Sequence, residues 1–118
     1  MADNPRLICA SAALAEKSTG VRFALPELGE GVTGFVVRFD GAPRAFVNRC
    51  AHVGVELDWQ EGEFFEPDGR YLMCATHGAL YHPVTGYCAA GPCRGAALER
   101  LPVEERDGNI YLILEKYD

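Results

Sequence analysis

Short runs of β-branched, aromatic and aliphatic residues, cut at close intervals by Gly, Pro and Asp, extend along most of this chain. The clearest are Leu7–Ala10, Val21–Leu25, Phe35–Phe39, Ala45–Asn48, Arg70–Cys74 and Ile110–Leu114. Runs of this length and composition predict strands, and their spacing predicts an all-β sandwich or barrel. Asp40-Gly41-Ala42-Pro43 between two of them predicts a hairpin. Ser11–Lys17, with Ser11 as candidate N-cap, predicts one helical turn or two. The pattern shows no internal repeat, low-complexity tract or linker.

One glycine pattern has to be disposed of before chemistry is considered. Gly29-Glu30-Gly31-Val32-Thr33-Gly34 fits G-x-G-x-x-G, but a dinucleotide site needs a helix after the glycines. Phe35-Val36-Val37-Arg38-Phe39 follows, which is strand material, so the glycines predict a turn.

Size and charge then narrow the function. A chain of 118 residues, 48% hydrophobic, suits a single domain over 1–118. A formal net charge of −6, with no basic cluster, argues against nucleic acid. It suits a protein partner with a basic docking face, or solubility alone. Five cysteines are an odd number, and two stand beside histidines, which is unlike a secreted disulfide framework. A reducing, cytoplasmic compartment is expected. Leu7–Ala15 is too short and too interrupted for a secretion signal, and no stretch approaches the roughly 20 apolar residues of a membrane span.

The chemistry is concentrated in two boxes, Cys50-Ala51-His52 and Cys74-Ala75-Thr76-His77, with 21 residues between them. Each offers one thiolate and one imidazole from a single tight loop. Such a set can hold a cluster in which one iron takes both sulfurs and the other both nitrogens. Gly54 and Gly78 let the backbone turn beneath the ligands. Cys2His2 zinc remains an alternative, although zinc sites usually pair like ligands in each half. A cysteine nucleophile with a histidine base is weaker, since two such pairs in one small domain have no evident use.

On these boxes, with Gly78, Thr85-Gly86 and Gly91-Pro92 beyond them, the sequence resembles Rieske-type 2Fe-2S proteins, in the soluble ferredoxin branch serving bacterial ring-hydroxylating oxygenases. The resemblance covers most of the chain. It implies stacked antiparallel sheets, three in number, with an inserted cluster-binding subdomain at about residues 48–93. It further implies one 2Fe-2S cluster, with Cys50 and Cys74 on the buried iron and His52 and His77 on the outer one. Gly91-Pro92 would lie in a loop over the cluster.

Departures from the family pattern are informative. The segment between the boxes is long and acidic, with Asp58, Glu61, Glu63, Glu66 and Asp68, and it predicts a surface hairpin or loop that contributes to partner choice or is merely solvated. The disulfide that ties the ligand loops in quinol-oxidising relatives is absent, since Val55 and Thr76 occupy its positions. Cys88 and Cys93 are expected to be reduced, buried and apolar in behaviour. In high-potential members a serine and a tyrosine donate hydrogen bonds to the cluster; here Ala79 takes the serine position and Tyr81 the tyrosine position. Tyr81 is therefore either that donor or a packed core aromatic. A midpoint in the low or middle part of the range of roughly −150 to +300 mV follows.

Histidine count limits the activity. With His52 and His77 as ligands only His82 remains, and an oxygen-activating mononuclear iron needs two histidines and a carboxylate. His82 reads as a loop histidine. The expected function is a non-enzymatic electron carrier between a flavin-dependent reductase and a terminal oxygenase. A non-catalytic module of a nitrite-reductase-like complex and a structural zinc module are the alternatives.

Overall fold

The structure is a computed structural model that describes residues 6–50, 55–58, 60–75 and 78–113. Among the described residues ten strands, β1 (Arg6–Ala10), β2 (Val21–Ala24), β3 (Thr33–Phe39), β4 (Ala42–Val47), β5 (Leu72–Met73), β6 (Leu80–Tyr81), β7 (Cys88–Ala90), β8 (Arg100–Leu101), β9 (Val103–Arg106) and β10 (Asn109–Leu112), form three sheets. Their orders are β1-β10-β9, β2-β3-β4-β8 and β5-β6-β7, and every pairing between these strands is antiparallel. The expected all-β architecture is present, and β5–β7 are inserted between β4 and β8. No helix among the described residues is long and apolar enough to cross a membrane.

Local chemistry sets the turns. Phe39 pairs with Ala42, so Asp40 and Gly41 alone connect β3 to β4, with φ of 58° and 78°. Two positive φ values make the primed turn whose twist matches the flanking strands. Glu16 reinforces it by accepting the backbone N–H groups of Gly41 and Asp40, which lowers its pKa. Asp107-Gly108 repeats the device between β9 and β10. Leu114, predicted to end the last strand, lies outside the described residues.

Two expectations hold only in part. Ser11–Lys17 makes only a 3-10 turn over Ser11–Ala13, with no side-chain cap, because Glu16 bridges to Arg38 and Lys17 N–H bonds Arg38 C=O at 2.8 Å. Pairing with β3 outcompetes helix. The acidic segment is only partly a surface feature. Phe64 is 1% exposed and stacks on Phe35 with centroids 3.9 Å apart. Its backbone and that of Glu66 bond Met73 and Tyr71, making a hairpin that borders β5, while Glu61, Glu63 and Asp68 remain outside. Burying the phenylalanine ring is what draws the segment in.

The G-x-G-x-x-G stretch is a turn, as its context required. Gly29 and Gly31 have φ of 139° and 81°, and Gly34 is the second residue of β3, where a Cβ would lie 2.8 Å from the Phe23 ring. Two apolar clusters result. One joins Leu14, Leu25, Val36, Val47, Ile110 and Leu112 between the framework sheets. The other joins Phe35, Phe46, Phe64 and Leu72 to Cys50, Cys74 and Tyr81. Across the framework, Arg38 on β3 forks onto Glu105 on β9 at 3.0 and 2.7 Å.

Candidate metal centre

Cys50 follows β4 and Cys74 follows β5, and both are at most 1% exposed within one apolar cluster. The first loop closes where Cys50 N–H bonds Val55 C=O at 2.6 Å. The second is the end of the β5–β6 hairpin, closed by Cys74 N–H to Ala79 C=O at 2.9 Å and Gly78 N–H to Cys74 C=O at 2.8 Å. Gly78 has φ of 72°, so the turn expected there is present. The two loops are themselves joined, because Ala75 N–H bonds Leu57 C=O at 3.0 Å.

Tyr81 is fully buried, and its hydroxyl lies 3.3 Å from Cys50 Sγ. A metal-bound thiolate can only accept, so with metal present the hydroxyl is the donor of that contact. Ala79, also fully buried, supplies no hydroxyl. Gly91, at φ 93°, packs so closely that a Cβ would lie 3.1 Å from Ala79 Cα and 3.2 Å from Gly78 C=O. The Gly91-Pro92 turn therefore rests against the second loop.

The structure thus places Cys50, Cys74 and Tyr81 in one buried apolar cluster, with the Tyr81 hydroxyl beside Cys50 Sγ. His52 and His77, along with Gly54, lie outside the described residues. The donor set that is described fits the sulfur side of a cluster: two buried thiols on adjacent loops, one with a hydroxyl at hydrogen-bond distance. His82 belongs elsewhere. It sits beyond Tyr81 at the open end of the β5–β6 hairpin, 5.5 Å from the Tyr71 ring, in a groove shared with Phe39, Arg70 and Tyr87.

The remaining cysteines divide. Cys88 and Cys93 form a disulfide with Cα atoms 5.5 Å apart, correcting the expectation that both stay reduced. The reason is local: the Gly91 turn folds the chain back so that the second cysteine faces β7, inside the span a disulfide bridges. Burial raises the Cys9 thiol pKa, with Arg38 opposing, so it remains a protonated, half-buried group on β1.

Sequence reasoning missed Asn48 and read Asp58 as surface charge. Both are buried, at 4% and 7% exposure, and hydrogen-bonded to each other at 3.0 Å. An asparagine closing an apolar strand two residues before Cys50 was the available signal.

Comparison with known proteins agrees with the geometry. The Rieske 2Fe-2S domain matches residues 5–113. This chain belongs to that family. Its cofactor is accordingly one Rieske 2Fe-2S cluster, which sets aside the zinc alternative. No curated protein matches the chain by sequence. Among solved structures, the ferredoxin of Sphingomonas yanoikuyae B1 superposes with a TM-score of 0.73 at 23% identity, covering 93% of this chain and 98% of that one. A complex of reduced oxygenase and oxidized ferredoxin in carbazole 1,9a-dioxygenase gives 0.73 at 23% identity, over 91% and 90% of the two chains. The quaternary ammonium Rieske monooxygenase CntA gives 0.74 at 20% identity, over 99% of this chain but 33% of that one. At these identities the likeness is one of fold.

Proposed function

We propose that this protein is a one-electron carrier, a Rieske ferredoxin that takes electrons from a flavin-dependent reductase and passes them to a terminal oxygenase. The observation that carries the reading is the pair of buried sulfurs, Cys50 and Cys74, on two mutually hydrogen-bonded loops of a Rieske domain. Residues 1–118 act as one domain, with about 48–93 as its cluster-binding part.

Cys50, Cys74, His52 and His77 would hold the cluster, two through sulfur and two through nitrogen; the chain contributes no catalytic residue. The bound cluster supplies a single reversible electron. Around it, the apolar cluster of Phe35, Phe46, Leu72 and Tyr81 excludes water from the sulfurs, and the Tyr81 hydroxyl stabilises added negative charge. The same fold occurs in a ferredoxin solved with its oxygenase and as one third of a monooxygenase chain. The histidine count favours the carrier, since these 118 residues contain only His82 beyond the proposed ligands. The net charge of −6 suits transient protein partners and argues against nucleic acid. Function in the cytoplasm, away from membranes, belongs to this reading.

Absorption and electron-paramagnetic-resonance spectra with a redox titration test it. The expected result is a coloured centre titrating reversibly with one electron, lost in His77→Ala. A colourless protein carrying zinc, a ligand-free fold as in a non-catalytic subunit, or a normal Rieske spectrum in His77→Ala would overturn it.

A further inference from the structure

The segment after the first box is fastened by polar side chains that are not cluster ligands. Asn48, at the end of β4, accepts Leu57 N–H on Oδ1 at 2.9 Å and donates from Nδ2 to Asp58 Oδ1 at 3.0 Å. Asp58 Oδ2 accepts Gly62 N–H at 2.9 Å and lies 3.7 Å from Arg22 Nε. Arg22 pairs in turn with Glu56 at 2.5 Å, and Thr33 donates to the same carboxylate oxygen at 3.0 Å.

The side chain of Asp58 is fully shielded from solvent. A carboxylate so placed is costly unless each oxygen is engaged, and here each one is. What this arrangement fixes is the path between the boxes. Asn48 stands two residues before Cys50 and holds Leu57, whose carbonyl holds Ala75, the residue after Cys74.

We propose that Asn48 and Asp58 are positioning residues that set Cys50 against Cys74, so that retention of the cluster and its electronic signature depend on two side chains outside the ligand set. The inference rests on the cluster reading given above. The pair has only one satisfied arrangement, because the Asn48 oxygen is committed to Leu57 and its nitrogen must meet an acceptor. Asp58→Asn places an amide nitrogen where either Asn48 or Gly62 requires an oxygen. Asn48→Asp places two carboxylates side by side. The exchange Asn48→Asp/Asp58→Asn restores every hydrogen bond of the pair, giving up only the 3.7 Å ion pair with Arg22: the carboxylate at 48 accepts from Leu57 and from the amide at 58, whose oxygen still accepts from Gly62.

The test compares the holoprotein, the two single variants and the exchange. Three quantities are followed: the rate of iron loss to excess EDTA, the g values, and the midpoint potential, with thermal melting alongside. Each single variant is expected to lose iron about tenfold faster or more, as leaving a buried group unsatisfied implies, with shifted g values. The exchange is expected to return to within about threefold of the parent rate. Single variants that melt earlier yet keep the parent rate, g values and midpoint would overturn the proposal, as would an exchange no better than either single change. If a single variant does not accumulate, Asn48→Ser, which keeps one hydrogen-bonding atom, is measured in its place against the same criteria. Absence of a Rieske spectrum in the parent would defeat the cluster reading itself; a normal parent spectrum with indifferent variants defeats the clamp alone.

Discussion

Replacing Tyr81 by phenylalanine removes a single oxygen from a fully buried ring and leaves the ring's packing in place. That oxygen lies 3.3 Å from Cys50 Sγ. One added electron makes the sulfur more negative, so the hydroxyl's hydrogen bond strengthens on reduction, and its loss disfavours the reduced state. A net hydrogen bond contributes about 0.5–1.5 kcal/mol. If that whole difference falls on the reduced form, the conversion of 59 mV per tenfold for one electron makes the midpoint fall by about 20–60 mV. Protein-film voltammetry or a dye-mediated titration of Tyr81→Phe against the parent protein reads the shift, with circular dichroism confirming that the framework is intact. An unchanged midpoint in a folded, fully loaded variant would refute the donor role and leave Tyr81 as a packing residue.

Three further outcomes follow from the fold. Phe64→Ala removes the ring stacked on Phe35 and is expected to destabilise by about 3–5 kcal/mol, read as a melting point lower by roughly 10 °C or more; a shift of a degree or two would mean the acidic segment is not anchored there. Glu105 has its pKa held down to about 2 by the Arg38 guanidinium that forks onto it, so its stabilisation is complete above the ordinary carboxylate value and declines as pH falls from 4.5 toward 2. Glu105→Gln should cost about 1 kcal/mol at neutral pH, given partial solvent screening, and the gap from the parent should narrow across that acid window in pH-dependent melting; a constant gap would contradict the pairing. Alkylation of the unfolded, unreduced protein, followed by mass spectrometry, should leave Cys88 and Cys93 unmodified until a reductant is added, whereas immediate modification of both would contradict the disulfide.

The long strands were legible because β3 and β4 carry consecutive apolar residues bounded by Asp40-Gly41, a turn with an unambiguous backbone demand. The short strands β5 to β8 were mostly not, since pieces such as Leu80–Tyr81 have no periodicity of their own and exist only through partners. β9 was missed although Asp107-Gly108 marks its hairpin, because Val103–Arg106 is largely charged and half of it faces solvent. At the site, the two boxes singled out Cys50 and Cys74, and the structure buries both in one apolar cluster. The boxes were not enough to find Asn48 and Asp58, whose importance arises from a contact between side chains ten positions apart. The Cys88–Cys93 bridge was misjudged from compartment, a global argument, when a positive-φ glycine between them decided the matter locally.

Val47 N–H bonds Glu99 C=O at 2.9 Å, just where the chain leaves the framework sheets for the ligand loops and where it comes back. Exit and re-entry thus share one doorway. The excursion between them is nonetheless part of the core, since Phe64 within it stacks on Phe35 of β3.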